Sequence, residues 1–155
     1  MAVNYGKKFE DVVREAFEKV PGVSIDRIHD QTTKFKGTSA NICDFIVYRE
    51  PYEYYFECKS VHGNLFPFRN ITETQLNGLL EKSKIEGVFA GIICWWVDKD
   101  FTAFIPIQNI ERAMEADWKS FRYDLEGHFI EIKGKKKRVF FEYNMEGFLD
   151  ELSNM

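Results

Sequence analysis

Three features of the sequence predict a mixed α/β fold in a single domain, residues 1–155, with the element order αβββαββα, a C-terminal β-hairpin and a helix. The 155 residues are 45% hydrophobic, which suits one well-filled core. Segments of helical and strand periodicity follow one another without a repeat or linker between them. The apolar run at 87–97, GVFAGIICWWV, follows a predicted helix and has the length of a buried strand.

The first half of the chain is predicted to form one helix and three strands. Asn4 is a suitable N-cap, apolar residues recur at helical spacing from Phe9 to Val20, and Pro21 with Gly22 ends the helix. Runs of aromatic and β-branched residues predict strands at 23–29, 41–50 and 52–61. The short turn between the last two predicts that they pair as an antiparallel hairpin.

The second half alternates in the same way. It contains a predicted helix at 72–87, the buried strand at 87–97, its hairpin partner at 100–107 and a helix at 108–118. Two further strands, at 128–133 and 138–143, are predicted to be joined by a basic turn at 134–137 before a short C-terminal helix.

Composition limits the classes of function. With 21 Lys and Arg against 25 Asp and Glu, the formal charge is −4, so bulk charge does not favour nucleic-acid binding and local patches would have to provide it. The longest apolar run is shorter than the roughly 20 residues of a membrane helix. The three cysteines lack metal-ligand spacing, which indicates reduced, buried thiols of a cytosolic protein.

One strand carries an unexpected pair of charges, in the sequence FECKS at 56–60. Alternation puts Glu57 and Lys59 on one face and Phe56 and Cys58 on the other. On the preceding strand, Cys43 and Phe45 are expected to share one face while Asp44 lies on the other. A hairpin register can then bring Asp44 beside Glu57.

Two interpretations of these charges stay open on spacing alone. Glu57 and Lys59 could form a structural ion pair, although burying charges costs several kcal/mol per ion unless the partners are excellent. Alternatively, Asp44 and Glu57 are hard oxygen ligands for Mg²⁺ or Mn²⁺.

The pattern of Asp44, twelve residues, then Glu57-Cys58-Lys59 resembles the signature of the PD-(D/E)xK nucleases, with Cys43 in place of the usual Pro. The longer text FECKS…LFPFRNITETQLNGL…GVFAGIIC, from about residue 6 to 110, is similar to RecU-type and archaeal-type Holliday junction resolvases. The resemblance implies a restriction-endonuclease-like core, in which a mixed β-sheet is flanked by helices. The stretch at 29–42 is too short for the projecting stalk of RecU-type proteins.

The resemblance also implies roles for individual residues. Asp44, Glu57 and the Cys58 carbonyl would bind Mg²⁺ or Mn²⁺, while Lys59 would orient the attacking water. Glu10 matches the acid of the first helix in this family, as a further catalytic residue and metal ligand; a solvated surface Glu is the alternative.

Gln75 matches a Gln near the active site of the family. It also has a structural alternative, because Thr72 and Gln75 have the spacing of a capping box. Candidate DNA-binding residues are basic or hydroxyl-bearing and lie in three loops: Lys34, Lys36, Thr38, Ser39, Arg69, Lys135, Lys136 and Lys137.

The resemblance implies a metal-dependent endodeoxyribonuclease that nicks four-way (Holliday) junctions symmetrically as a homodimer, in the cytoplasm of a bacterial or phage-infected cell. The alternatives are another PD-(D/E)xK endonuclease acting on duplex or branched DNA, and a non-catalytic DNA-binding module of the same fold.

Overall fold

The computed structural model describes residues 4–28 and 41–155. The described helices are α1 (Tyr5–Glu18), α2 (Glu73–Ser83), α3 (Ile107–Glu115) and α4 (Met145–Ser153). The described strands are β1 (Ser24–Arg27), β2 (Phe45–Arg49), β3 (Tyr52–Val61), β4 (Leu65–Pro67), β5 (Val88–Trp96), β6 (Phe101–Pro106), β7 (Ser120–Arg122), β8 (Ile130–Glu131), β9 (Gly134–Lys136) and β10 (Phe141–Tyr143).

A six-stranded sheet in the order β1-β2-β3-β5-β6-β8 organises these elements. β3 and β5 are parallel neighbours at its centre, and the other neighbouring pairs are antiparallel. This confirms both the predicted β2–β3 hairpin and the buried strand at 87–97. The helix α2 lies between β3 and β5 in the chain and supplies the crossover connection that a parallel pair of strands needs. The fold is therefore the mixed α/β architecture that the sequence predicts.

The two faces of the sheet carry two apolar clusters. On one face, Phe9 and Phe17 of α1 pack with Phe56 and with Phe148 of α4. On the other face lie α2 and α3, with Leu79 among the buried residues. The N-terminus of α1 is capped as predicted, since the Asn4 side chain accepts a hydrogen bond from the Lys7 amide at 3.1 Å.

The second strand is shorter than the sequence predicts. It begins at Phe45 rather than at residue 41, and Cys43 packs in the cluster of the α2 and α3 face while Phe45 packs on the opposite face. The prediction that Cys43 and Phe45 share a face is therefore wrong. The alternation of side chains applies only within regular strand, and Cys43 precedes it.

The predicted C-terminal hairpin is also wrong in its pairing. Ile130 joins the edge of the main sheet opposite Phe104, and Gly134–Lys136 is a strand of a separate hairpin with Phe141–Tyr143 rather than a turn. The turn lies at 137–140, closed by a hydrogen bond of 2.9 Å from the Lys137 amide to the Phe140 carbonyl. Burial of Ile130 explains the difference, since pairing with β6 puts it in the core.

A short pair of strands, β4 with β7, was not predicted. Three-residue strands of this kind give almost no periodic signal. Among the described residues, no helix has both the length and the apolar character needed to cross a membrane.

Candidate active site

The chain positions Asp44 immediately before β2. The Asp44 amide donates to the Phe56 carbonyl at 3.1 Å, and the Ile28 amide donates to the Asp44 carbonyl at 2.8 Å. Since Phe45 pairs with Phe56, Asp44 lies across from Glu57, as the hairpin register predicts. Backbone hydrogen bonds to both neighbouring segments therefore fix the main chain that carries the Asp44 carboxylate.

The carboxylate of Asp44 is itself anchored. Its Oδ2 accepts a hydrogen bond of 2.8 Å from the Cys58 amide. Burial raises the pKa of Asp44, and the hydrogen bond from Cys58 opposes that shift. The carboxylate thus has a fixed position against β3 but lacks enough compensation to keep its ordinary pKa.

Glu57 and Lys59 project from the same face of β3, as alternation predicts. The Lys59 Nζ lies 3.2 Å from Glu57 Oε2. Glu57 is only 6% exposed, and burial, then the nearby Asp44 carboxylate, raises its pKa to about 8. One lysine therefore does not offset the negative charge gathered at this point.

Glu10 reaches the same place from α1. Arg27 of β1 holds it through an ion pair of 2.7 Å between Nη2 and Glu10 Oε2, and Arg27 Nη1 lies 3.3 Å from Asp11 Oδ1. Burial, followed by the Asp44 carboxylate, raises the pKa of Glu10, while Arg27 lowers it. Arg27 was not among the predicted site residues. The sequence feature that could have indicated it is an arginine in the strand that follows a helix with two neighbouring acids.

Gln75 combines the two interpretations that the sequence left open. The backbone amide of Gln75 donates to Thr72 Oγ1 at 3.1 Å, and the side-chain Oε1 of Gln75 accepts from the backbone amide of Thr72 at 3.1 Å, so the capping box is present. The same side chain lines the cavity that contains Asp44 and Glu57. Capping therefore also fixes the orientation of Gln75 at the site.

These side chains surround one polar cavity of about 280 Å³. It is lined by Glu10, Arg27, Ile28, Asn41, Cys43, Asp44, Glu57 and Gln75. Across residues 4–28 and 41–155, no three or more Asp, Glu, His or Cys side chains already form a cluster of metal ligands. Instead, Glu57 pairs with Lys59 and Glu10 pairs with Arg27.

The predicted DNA-binding residues that the structure describes, Arg69 and the lysines at 135–137, are not among the residues that line this cavity. Lys34, Lys36, Thr38 and Ser39 fall outside the described residues. Arg69 is exposed in a single helical turn after β4. The exposed lysines of β9 and its turn are partly paired: Lys136 Nζ lies 2.9 Å from Asp100 Oδ2, and Lys137 Nζ lies 3.3 Å from Glu142 Oε2.

Comparisons with known proteins bear on the fold and on the family of this chain. A sequence comparison with curated proteins gives no significant match. The structure is similar to Hjc, a Holliday junction resolvase from the archaeal hyperthermophile Archaeoglobus fulgidus, with a TM-score of 0.54 and 19% sequence identity over 81% of this chain and 95% of that chain. This likeness shows the restriction-endonuclease-like fold.

A family comparison identifies the chain more closely. Residues 5–149 match RecU, described as Recombination protein U. The match includes Glu10, Asp44, Glu57, Lys59 and Gln75, and so contains every described residue around which the cavity is built. The chain therefore belongs to the RecU family of Holliday junction resolvases.

Proposed function

We propose that this protein is a metal-dependent Holliday junction resolvase, a structure-specific endodeoxyribonuclease that nicks four-way DNA junctions symmetrically during recombination and repair. The observation that carries the proposal is the convergence of Asp44 and Glu57 at one polar cavity, with the Lys59 ammonium 3.2 Å from Glu57, in a member of the RecU family. The Asp44, Glu57 and Lys59 set is also the signature of the PD-(D/E)xK nucleases.

The donor set fits Mg²⁺ or Mn²⁺. Burial raises the pKa of Glu10, Asp44 and Glu57, and the Asp44 carboxylate raises the pKa of Glu10 and Glu57 further; a divalent cation would oppose both effects. Carboxylate oxygens are the ligands such hard cations prefer. We assign Asp44 and Glu57 as ligands, with the Cys58 carbonyl and Glu10 as further oxygens.

The residues of this chain divide the hydrolysis among them. A metal held by these carboxylates would supply Lewis-acid chemistry, by lowering the pKa of water and offsetting the negative charge on the phosphate oxygens. Lys59 orients the attacking water and the scissile phosphate with its ammonium group, while Gln75 contributes an amide at the cavity wall. A water oxygen bonds to phosphorus as the water releases a proton, the bond from phosphorus to the 3′ oxygen breaks, and the 3′ oxygen takes up a proton, which leaves 5′-phosphate and 3′-hydroxyl ends.

DNA contacts outside the cavity would come from basic and hydroxyl side chains. We propose Lys34, Lys36, Thr38, Ser39, Arg69, Lys135, Lys136 and Lys137 for this role. A four-way junction presents two equivalent strands, so we propose a two-fold homodimer with one active site for each. The proposed location is the cytoplasm of a bacterial cell or a phage-infected host.

The test compares nicking of a fixed four-way junction with nicking of a linear duplex of the same sequence, in Mg²⁺ and in EDTA. We expect symmetric nicks in the junction only, and only with metal. Asp44→Asn should lower the nicking rate by at least about 10³-fold, because one anchored metal ligand loses its charge. Asp124→Asn is the matched control, since Asp124 is an exposed acid that pairs with Arg122.

Three results would contradict the proposal in different ways. Equal cleavage of the duplex would mean a PD-(D/E)xK endonuclease of another specificity. Cleavage that survives EDTA or Asp44→Asn would remove the assigned site. Binding of the junction with no cleavage under any metal would favour a non-catalytic DNA-binding module.

A further inference from the structure

A glycine in the middle of α2 forms the contact surface for the segment that carries Asp44. Gly78 faces Ile42, which lies two residues before Asp44. A Cβ atom added at Gly78 would stand 2.7 Å from the Ile42 Cβ and would overlap the Ile42 Cγ2. The side chain of Ile42 therefore occupies the space that any other residue at position 78 would fill.

The overlap has no inexpensive relief. Both contacted atoms of Ile42 lie at or next to its branch point, so a rotation farther along the side chain does not move them away. The backbone of residue 42 would have to move instead. Such a movement passes directly to Asp44, whose carbonyl accepts a hydrogen bond from the Ile28 amide and whose amide donates to the Phe56 carbonyl.

Glycine at this position is itself unfavourable for the helix. Relative to alanine, a glycine inside a helix lowers the folding equilibrium constant roughly fivefold. α2 runs from Glu73 to Ser83, so Gly78 lies well inside it. Gly78 has an ordinary helical backbone and is not needed for a positive φ, so close approach of Ile42 is the remaining reason for glycine.

We propose that Gly78 is a positioning residue for the proposed nuclease reaction: it lets Ile42 dock on α2 and thereby holds Asp44 at the site. The proposal rests on the proposed function for its catalytic consequence. Its structural content, the docking of the segment 41–44, is independent of any activity.

The central variant is Gly78→Ala, and its first measurement needs neither DNA nor metal. Cys43, between Ile42 and Asp44, is 2% exposed. We expect maleimide labelling of Cys43, mapped by mass spectrometry, to become at least about tenfold faster in Gly78→Ala, while Cys94 at the sheet centre stays protected. A displaced segment uncovers the first thiol and leaves the second in place.

The second measurement is nicking at saturating junction. A displacement of about 1 Å at a catalytic group lowers the rate by roughly 10²-fold. We expect that loss in kcat for Gly78→Ala, with the Kd for the junction in Ca²⁺ changed less than about twofold.

Controls separate displacement from a general effect on the helix. Gly6→Ala in α1 places a Cβ no nearer than 3.7 Å to the Asn4 side chain, so it should raise the Tm and leave Cys43 protected. Asn77→Ala changes an exposed neighbour on α2 and should leave nicking unchanged. If Gly78→Ala does not fold, Ile42→Ala alone tests the same docking, and it should also expose Cys43.

The proposal is overturned if Gly78→Ala raises the Tm as Gly6→Ala does and keeps both Cys43 protection and the wild-type rate. It is also overturned if Ile42→Ala leaves Cys43 protected. If wild-type protein fails to nick junctions, the proposed function fails, and the labelling of Cys43 still decides whether Gly78 positions the segment.

Discussion

Glu57 pairs with Lys59 but is not neutralised by it. Its pKa is raised to about 8 from an ordinary value of 4.5, first by burial and then by Asp44. The folded protein therefore holds a proton at Glu57 that the unfolded chain releases above pH 4.5. By linkage, this group favours the folded state at low pH, and that contribution is lost as the pH rises from about 4.5 through 8.

Glu57→Gln should remove this loss in metal-free protein. In EDTA, the variant and the wild type should have similar free energies of unfolding near pH 5, and the variant should be more stable by a few kcal/mol at pH 8. Urea unfolding at several pH values measures the difference. Glu81→Gln, at an exposed acid, should follow the wild-type curve. If the free energies of unfolding of Glu57→Gln and wild type differ by the same amount at every pH, the raised pKa of Glu57 is contradicted.

The same loss of stability at high pH would favour binding of a cation at the proposed metal site. A group that is destabilising when charged and buried becomes favourable once a divalent ion neutralises it. The surplus of acids over bases in the cavity is thus consistent with a site that gives up stability for function. Glu57, Asp44 and Glu10 share this property, while the exposed acids of the hairpin and loops form ordinary surface ion pairs.

At the scale of elements, α2 serves both stability and the site through its first turn. Thr72 and Gln75 form the capping box, and Gln75 also lines the cavity. Loss of an N-cap side chain costs about 1 kcal/mol. The two roles of Gln75 can therefore be separated by changing each partner of the box in turn.

Thr72→Ala should lower the free energy of unfolding by about 1 kcal/mol and leave nicking near the wild-type rate at a temperature where the protein is folded. Gln75→Ala should lower both, because it removes a cavity amide as well as the cap. Urea unfolding and single-turnover nicking supply the two readouts. If Gln75→Ala and Thr72→Ala reduce stability equally and neither affects nicking, Gln75 is a capping residue alone.

The elements also show why some positions could be predicted from sequence and others could not. Strand alternation and hairpin register sufficed to bring Asp44 beside Glu57, because both rules act locally. Arg27 escaped prediction, since its partner Glu10 lies 17 residues away on another element. The docking of Ile42 on Gly78 depends on a helix packing over the segment, and no local pattern indicates it.

In the basic C-terminal segment, local composition predicts the wrong structure. A run of Gly and lysines has the composition of a turn, yet Gly134–Lys136 is a strand. The strand predicted at 138–143 is present only at Phe141–Tyr143, and the strand predicted to pair with it joins the main sheet beside β6 instead. Competition between two possible partners is a tertiary effect, and burial of Ile130 decides it.

At the scale of the whole molecule, a chain of net charge −4 must bind a polyanion. The proposed contacts therefore depend on local surfaces, and each acid close to a basic side chain reduces what that side chain contributes. Asp100 forms such an ion pair with Lys136, and Glu142 forms one with Lys137. Surface ion pairs of this kind contribute little to folding, so their removal should affect binding more than stability.

Asp100→Asn tests this balance between acids and DNA contacts. Asp100 has a φ of 49°, a conformation that Asn tolerates well, so the fold should be unaffected. Once its partner is neutral, Lys136 is available for a phosphate, and junction affinity should rise about two- to fivefold at low salt. The slope of log Kd against log salt concentration should steepen by up to about 0.9, the value for one additional phosphate contact.

Fluorescence anisotropy with a labelled junction, in an Asp44→Asn background that prevents cleavage, measures both quantities. Lys136→Ala should have the opposite effect or none, because its charge is already opposed in the wild type. Asp124→Asn removes an equal charge beside Arg122, and it controls for the change in net charge.

If Asp100→Asn and Asp124→Asn strengthen binding equally, then overall charge governs affinity and the β9–β10 hairpin is not a specific contact. If only Asp100→Asn strengthens it, the junction lies against the hairpin, since counterion release is sensitive only to charges within about a Debye length of the DNA.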